Sequence, residues 1–217
     1  MRSALYLLRN LFILAAVVFI QNPLAAQLVN NGGTINISAG AQLVSTKNVS
    51  NNAGKINNNG TIKAGGDLIN TAPITNGNAA AIHFDGMTTQ TIYGAPLNAW
   101  NVIVNNTNGI VLMTDLFVAG TMNFTSGNIT TRNKLVICAA SSSTGTPSDL
   151  SHIDGSVRFD GTGNFTFPVG DNQKYQPLIV NLSANSGGLI AAYAAADAGN
   201  AVFSTGGSSS TPLASYN

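Results

Sequence analysis

Two stretches far apart in the chain share one phrase. Gly33-Thr34-Ile35-Asn36-Ile37-Ser38-Ala39-Gly40 and Gly120-Thr121-Met122-Asn123-Phe124-Thr125-Ser126-Gly127 both read Gly-Thr-apolar-Asn-apolar-hydroxyl-small-Gly. Apolar and polar residues alternate inside each, which is the period of a short strand with one buried face. Glycine closes both ends, where the chain must turn sharply. A unit of this kind that recurs predicts a chain built from stacked, similar turns. On this reading Met122 and Phe124 face a shared core and Asn123 faces out.

The rest of the chain up to Ile92 has the same grain. Short apolar beats (Gln42-Leu43-Val44, Lys55-Ile56, Thr61-Ile62-Lys63, Asp67-Leu68-Ile69, Ile82-His83-Phe84) alternate with Asn30-Asn31, Asn51-Asn52 and Asn57-Asn58-Asn59-Gly60. Beats this brief are too short for stable hairpins. They fit the coils of a parallel β-solenoid, where each strand pairs with the coil above and below. Asn at the corners is suited to stacking in side-chain ladders. The beats are unevenly spaced and fix no coil length. From Leu97 to Ala140 the strands are longer, beginning with Trp100-Asn101-Val102-Ile103-Val104.

Composition supports an all-β chain. Charged residues make up 8% of it, against roughly 25% in ordinary globular proteins. All eight acids are Asp, and the helix formers Glu and Lys are absent or scarce. With 44% hydrophobic residues the chain can bury a core. So few basic residues argue against nucleic-acid binding, which needs a patch that neutralises phosphates. The single cysteine, Cys138, lies in the apolar run Lys134–Cys138 and reads as a buried hydrophobe.

The segment 1–26 reads as a secretory signal peptide. Arg2 and Arg9 form its positive end, Leu11–Ile20 its apolar helix, and Leu24-Ala25-Ala26 leads to a cut between Ala26 and Gln27. The apolar run is about half the ~20 residues that span a bilayer, which disfavours a membrane anchor. Cleavage removes both arginines and leaves a nearly neutral protein. The expected location is outside the cell or on its surface, with no membrane insertion after cleavage.

The expected divisions are residues 1–26 as signal helix, 27–140 as β-solenoid, 141–150 as a Ser/Thr/Gly/Pro linker, and 151–217 as an incomplete antiparallel β-sandwich. The last assignment rests on Gly155-Ser156-Val157-Arg158-Phe159, Asn164-Phe165-Thr166-Phe167 and Leu178–Leu182, alternating runs separated by turns.

The run from Trp100 through Gly120-Thr121-Met122, Ser126-Gly127-Asn128-Ile129-Thr130 and Lys134-Leu135-Val136-Ile137 resembles the β-solenoid repeats of large secreted surface proteins of Bacteroidetes bacteria. Phe165-Thr166-Phe167-Pro168-Val169-Gly170-Asp171 and Tyr175-Gln176-Pro177-Leu178 resemble a sandwich module of the Thr-Phe-Pro-Val-Gly type that follows such repeats. The resemblance covers most of Trp100 to Tyr193. It implies cargo of type IX secretion, a sorting domain beyond Asn217, hence a truncated chain here, and no catalytic residues to carry over.

Residues able to do chemistry are dispersed. The acids are Asp67, Asp85, Asp115, Asp149, Asp154, Asp160, Asp171 and Asp197, with no Asp-x-Asp pair of the kind a metal or lyase site would use. Asp149, His152 and Asp154 form the densest local group, and they read as solvated loop residues. Asp160-Gly161-Thr162-Gly163-Asn164 lacks the alternating acids of a calcium loop and reads as a turn. His83, between Ile82 and Phe84, belongs on the solvent side of its strand. There is no Gly-x-Ser-x-Gly elbow. The Thr-rich segments Thr88-Thr89-Gln90-Thr91 and Thr130-Thr131 do not recur in register, which weakens an ice-binding reading. The expectation is a non-enzymatic structural or adhesin-like protein with no cofactor or metal. Its partners would be surface glycans or other cell-surface proteins. The alternative is a carbohydrate-binding or polysaccharide-degrading accessory module, in which Tyr93, Trp100 and Tyr175 stack on sugar rings.

Overall fold

A computed structural model describes residues 26–185 and 187–194; the expected signal helix, up to residue 25, and the segment 195–217 lie outside the described residues. The described chain winds into seven turns. The first holds β1 (Leu28–Ile37) and β2 (Gln42–Ser45), the second β3 (Val49–Asn58) and β4 (Thr61–Ala64). The third has β5 (Leu68–Asn70), β6 (Ile74–Asn76) and β7 (Ala81–Phe84). The fourth has β8 (Gln90–Gly94), β9 (Leu97–Ala99) and β10 (Asn101–Asn105). The fifth has β11 (Ile110–Leu112), β12 (Leu116–Val118) and β13 (Thr121–Ser126). The sixth has β14 (Ile129–Cys138) and β15 (Ser143–Thr144), the seventh β16 (Ile153–Phe159) and β17 (Gly163–Phe167). β18 (Val169–Gly170), β19 (Leu178–Leu182) and β20 (Leu189–Ala191) complete the end.

The coil has three faces. The long strands β1, β3, β14 and β16 each serve two of them, bending at Gly32, Gly54, Arg132 and Gly155, all with positive φ. In turns three to five the same corner is split between separate strands. Every strand pairing between successive turns, among the described residues, is parallel, so the all-β, parallel-solenoid expectation holds. On the third face Ile62 pairs with Ile82, Ile82 with Val102, and Val102 with Met122, in equal steps along the sequence. Elsewhere the step is shorter (Leu97 to Leu116) or longer (Ile129 to Ile153), because the corners differ in length.

This register turns sequence alternation into columns. Ile62, Ile82, Val102 and Met122 form one, and Ala64, Phe84, Val104 and Phe124 its neighbour; all are buried. Leu97, Leu116, Val136 and Val157 do the same on the second face. Each large apolar side chain in these columns contributes about 1.5–3 kcal/mol by leaving water. Cys138 sits in the core beside them, and burial pushes its thiol pKa up to about 12.

Asparagine ladders run where Asn was expected to stack. Asn30 donates to Asn51 (2.8 Å), Asn57 to Asn36 (2.7 Å), Asn52 to Asn31 (3.0 Å) and Asn58 to Asn76 (2.8 Å). A second device recurs at the corners: a side-chain oxygen accepts the backbone N–H of the turn above. Asn48 does this for Asp67, Asp67 for Thr91, Asn101 for Thr121, Asp115 for Leu135 and Asn128 for His152. Two of the dispersed acids, Asp67 and Asp115, thus hold neighbouring turns together.

The stacking does not stop at residues 141–150. β15 pairs with β13 inside that segment, and β16 continues the parallel ladder on β14. The Ser/Thr/Gly/Pro run is a long corner, whose small residues resemble a linker in composition alone. Among the described residues, antiparallel strand pairing is confined to β16 with β20 and β17 with β19. This small sheet closes the last turn. Phe165 stacks on Phe159 (centroids 4.0 Å apart, 5° between planes), and Phe167 meets Phe165 edge-on at 4.9 Å. The Phe-Thr-Phe-Pro segment therefore fills the open end of the core.

Candidate functional site

The second face is not one continuous ladder. β6 pairs with β3 below it, and β9 pairs with β12 above it, but β6 and β9 share no strand pairing. Pro96, just before β9, has no N–H to give. The gap is bridged by a side chain, with Asn76 Nδ2 donating to the Asn98 carbonyl at 2.7 Å. A cleft of about 410 Å³ opens here, lined by Asn70, Thr71, Pro73, Ile74, Thr75, Asn76, Ala95, Pro96 and Asn98.

Asn70 is the buried polar residue of this cleft, 3% exposed. Its amide donates to the carbonyls of Ala95 and Pro96, both at 3.2 Å. That fixes the amide's orientation and leaves Oδ1 with no hydrogen-bond partner. One turn below, Asn51 clamps the carbonyls of Ala72 and Pro73 in the same way, but its Oδ1 accepts from Asn30. The Asn51 amide is committed to those carbonyls and cannot serve Asn70. An unpaired buried acceptor costs about 1–3 kcal/mol. The sequence does carry a trace of this site, since Ala72-Pro73-Ile74 and Ala95-Pro96-Leu97 repeat a corner, but the alternation of apolar beats passes over it.

The residues expected to stack on sugars are not brought together. Tyr93 is 37% exposed on the first face. Trp100 lies at the corner between β9 and β10, with its indole against Gly120, where an added Cβ would come within 2.7 Å of the ring. Tyr175 packs near His152, ring centroids 6.2 Å apart, at the C-terminal end. Burial raises the Tyr175 pKa.

Of the group Asp149, His152 and Asp154, read as solvated, Asp149 is exposed and Asp154 half-buried, but His152 is not solvated. His152 is fully buried, and its two ring nitrogens face the carbonyl oxygens of Ser148 and Asp171. Asp149 points elsewhere, to Lys174 Nζ (2.9 Å) and the Tyr175 N–H (3.0 Å). Among the described residues no group of three or more His, Cys or Asp side chains is placed to hold a metal. A smaller cleft of about 260 Å³ lies beside this loop, lined in part by Asn108, Thr130, Asp149 and Asn172.

The loop 171–175 is expected to loosen in acid. Asp171 accepts the N–H groups of Gln173 and Lys174, which hold its carboxyl below the usual range. The Lys174 ammonium and the Tyr175 N–H do the same for Asp149. A depressed carboxyl stabilises the fold above its unfolded pKa and ceases to do so as pH falls through its folded one. Amide exchange at Lys174 and Tyr175 should therefore accelerate below about pH 4, while amides of β10 stay protected. The Lys174 pKa is raised by Asp149, so that ion pair is also lost as pH climbs past the lysine range.

His83 lies on the outer row Val44, Lys63, His83, Ile103 and Asn123 of the third face, as its position between Ile82 and Phe84 requires. It is half-buried, its Nε2 has no partner, and burial lowers its pKa. Lys63 below it pairs with Asp85 at 2.8 Å. At the other end of the coil, Ala26 is docked: its N–H donates to Thr46 Oγ1 (3.1 Å), and its carbonyl accepts from Ser45 Oγ (2.8 Å) and Lys47 N–H (3.2 Å). Gln27, its partner across the expected cleavage bond, is exposed.

Compared with known proteins, the chain matches no family model, no curated protein and no solved structure at a significant level.

Proposed function

We propose that this protein is a non-enzymatic, exported scaffold with a structural or adhesin-like role at the cell surface. The observation that carries this reading is the stack of interior columns through seven turns, which makes a stiff rod with three outer faces. At ~4.8 Å per turn the coil is roughly 30 Å long. The sequence of residues 1–26 supports export, and the near-neutral surface suits glycans or other cell-surface proteins better than nucleic acid. The resemblance to Bacteroidetes surface proteins adds type IX secretion and a longer parent chain to the proposal. The test is made in the source cell. Surface shaving and N-terminal sequencing should recover an external chain that begins at Gln27, and deleting the gene should weaken attachment. A chain retained inside with residues 1–26 intact, or unchanged attachment and envelope properties, overturns the reading.

The alternative, a carbohydrate-binding or polysaccharide-degrading accessory module, is favoured by one observation, the cleft between turns three and four.

A further inference from the structure

The joint between turns three and four can be compared with the joint below it. Ala72-Pro73-Ile74 and Ala95-Pro96-Leu97 turn the same corner. The Ala72 N–H donates to the Asn51 carbonyl and the Ala95 N–H to the Asn70 carbonyl, both at 2.8 Å. Beyond the lower corner the second face closes, because Ile74, Thr75 and Asn76 pair with Ile56, Asn57 and Asn58. Beyond the upper corner it stays open, since β9 has no strand partner below it among the described residues. The bond from Asn76 to the Asn98 carbonyl that spans the gap is exposed, so water competes for it. The other two faces cross the same joint without a break. Leu68, Ile69 and Asn70 pair with Ile92, Tyr93 and Gly94 on the first face, and Ala81–Phe84 pair with Asn101–Val104 on the third.

We propose that this joint is a seam at which the rod bends: the second face opens between turns three and four while the ladders of the first and third faces hold. Asn70 sets the balance. Its unpartnered Oδ1 is held away from water by the grip of its own amide on the Ala95 and Pro96 carbonyls. When those two bonds break, the side chain is free to rotate and its oxygen takes a water. Opening therefore removes the penalty of an unpaired buried acceptor. Asn51 gains nothing by letting go, because Asn30 already donates to its Oδ1. The cleft of about 410 Å³ gives the Asn70 side chain room to turn, and Pro96 has no N–H with which to close the seam. The chain becomes a jointed rod, with three turns on one side of the seam and four on the other. This goes beyond the scaffold reading, because the seam bends whether or not the rod is exported or serves in attachment.

Local opening of this kind is read by amide hydrogen exchange, residue by residue. The full chain, labelled with nitrogen-15, is transferred to heavy water at neutral pH, and protection factors are compared. Ala95 should be protected at least about tenfold less than Ala72. Fraying from the first turn acts the other way, since Ala72 lies nearer that end. The Asn101 N–H crosses the same joint on the third face, to the Ala80 carbonyl at 2.9 Å. It should be as protected as the Ala81 N–H, which donates to the Gly60 carbonyl at 2.9 Å one turn below. Asn76→Asp keeps an oxygen for Asn58 Nδ2 and loses the donor to Asn98. It should lower the protection of Ala95 by a further factor of about five and leave Ala72 unchanged. Equal protection at Ala95 and Ala72 overturns the proposal. So does an Asn101 amide that exchanges as fast as Ala95, because the turns then part wholesale, or a folded Asn76→Asp chain with Ala95 unmoved. Should that variant unfold, the two comparisons within the unaltered chain still decide.

Discussion

Replacing Phe124 with Asp should abolish the folded state. Phe124 is 5% exposed and stacks in register on Val104, which stacks on Phe84. Removing a buried Phe costs about 3–5 kcal/mol, and an unpaired carboxylate in its place adds several more. Native proteins are stable by only about 5–15 kcal/mol. The neighbouring Asn123 is exposed, so Asn123→Asp should change stability by no more than about 0.5 kcal/mol. Urea titrations of the two variants, followed by far-UV circular dichroism, make the comparison. A cooperative Phe124→Asp transition at the wild-type midpoint would show the faces to be reversed.

Gly127→Ala should be nearly as damaging, for a different reason. Gly127 has φ +82°, and a Cβ there would overlap the Asn106 carbonyl oxygen in the turn below. The obstacle is backbone and cannot rotate away. Gly127 is also held from above, donating to the Leu150 carbonyl at 2.8 Å and accepting from Ser151 Oγ at 2.9 Å. Gly163 gives the control, since its φ is +85° but an added Cβ meets nothing within 4 Å. Gly163→Ala should cost only the left-handed strain, about 1–2 kcal/mol. Gly127→Ala should exceed that by at least about 2 kcal/mol, because two turns must separate. Equal urea midpoints for the two variants would contradict this account.

The alternation of single residues was legible. Met122 and Phe124 are buried and Asn123 exposed, as the period-two pattern requires. The Asn pairs between beats are ladders, because an amide can donate to its copy one turn away. The coil length was hidden, since corners such as 85–89 and 145–152 absorb different numbers of residues without disturbing the columns. The two matching phrases also mislead in one respect. Ile35 pairs with Ile56 on the second face, whereas Met122 pairs with Val102 on the third. They are the same strand formula used on different sides, and their spacing is no repeat length. The cleft was not legible. It arises because β6 and β9 fail to pair, a relation between turns that no local pattern contains. Burial of His152 was missed for a related reason, since the segment that covers it, around Asp171, follows only after β16 and β17 have been laid down.

The one-turn register of the third face also governs how such a chain can be made. Each new strand closes a loop one coil long on its predecessor, however long the rod grows. Loop-closure entropy therefore stays constant per turn instead of rising with chain length. A polypeptide that folds from its first turn onward can add coils in order, each completed turn serving as template for the next. The final gate is then the aromatic trio Phe159, Phe165 and Phe167, whose arrival ends templating at that rim.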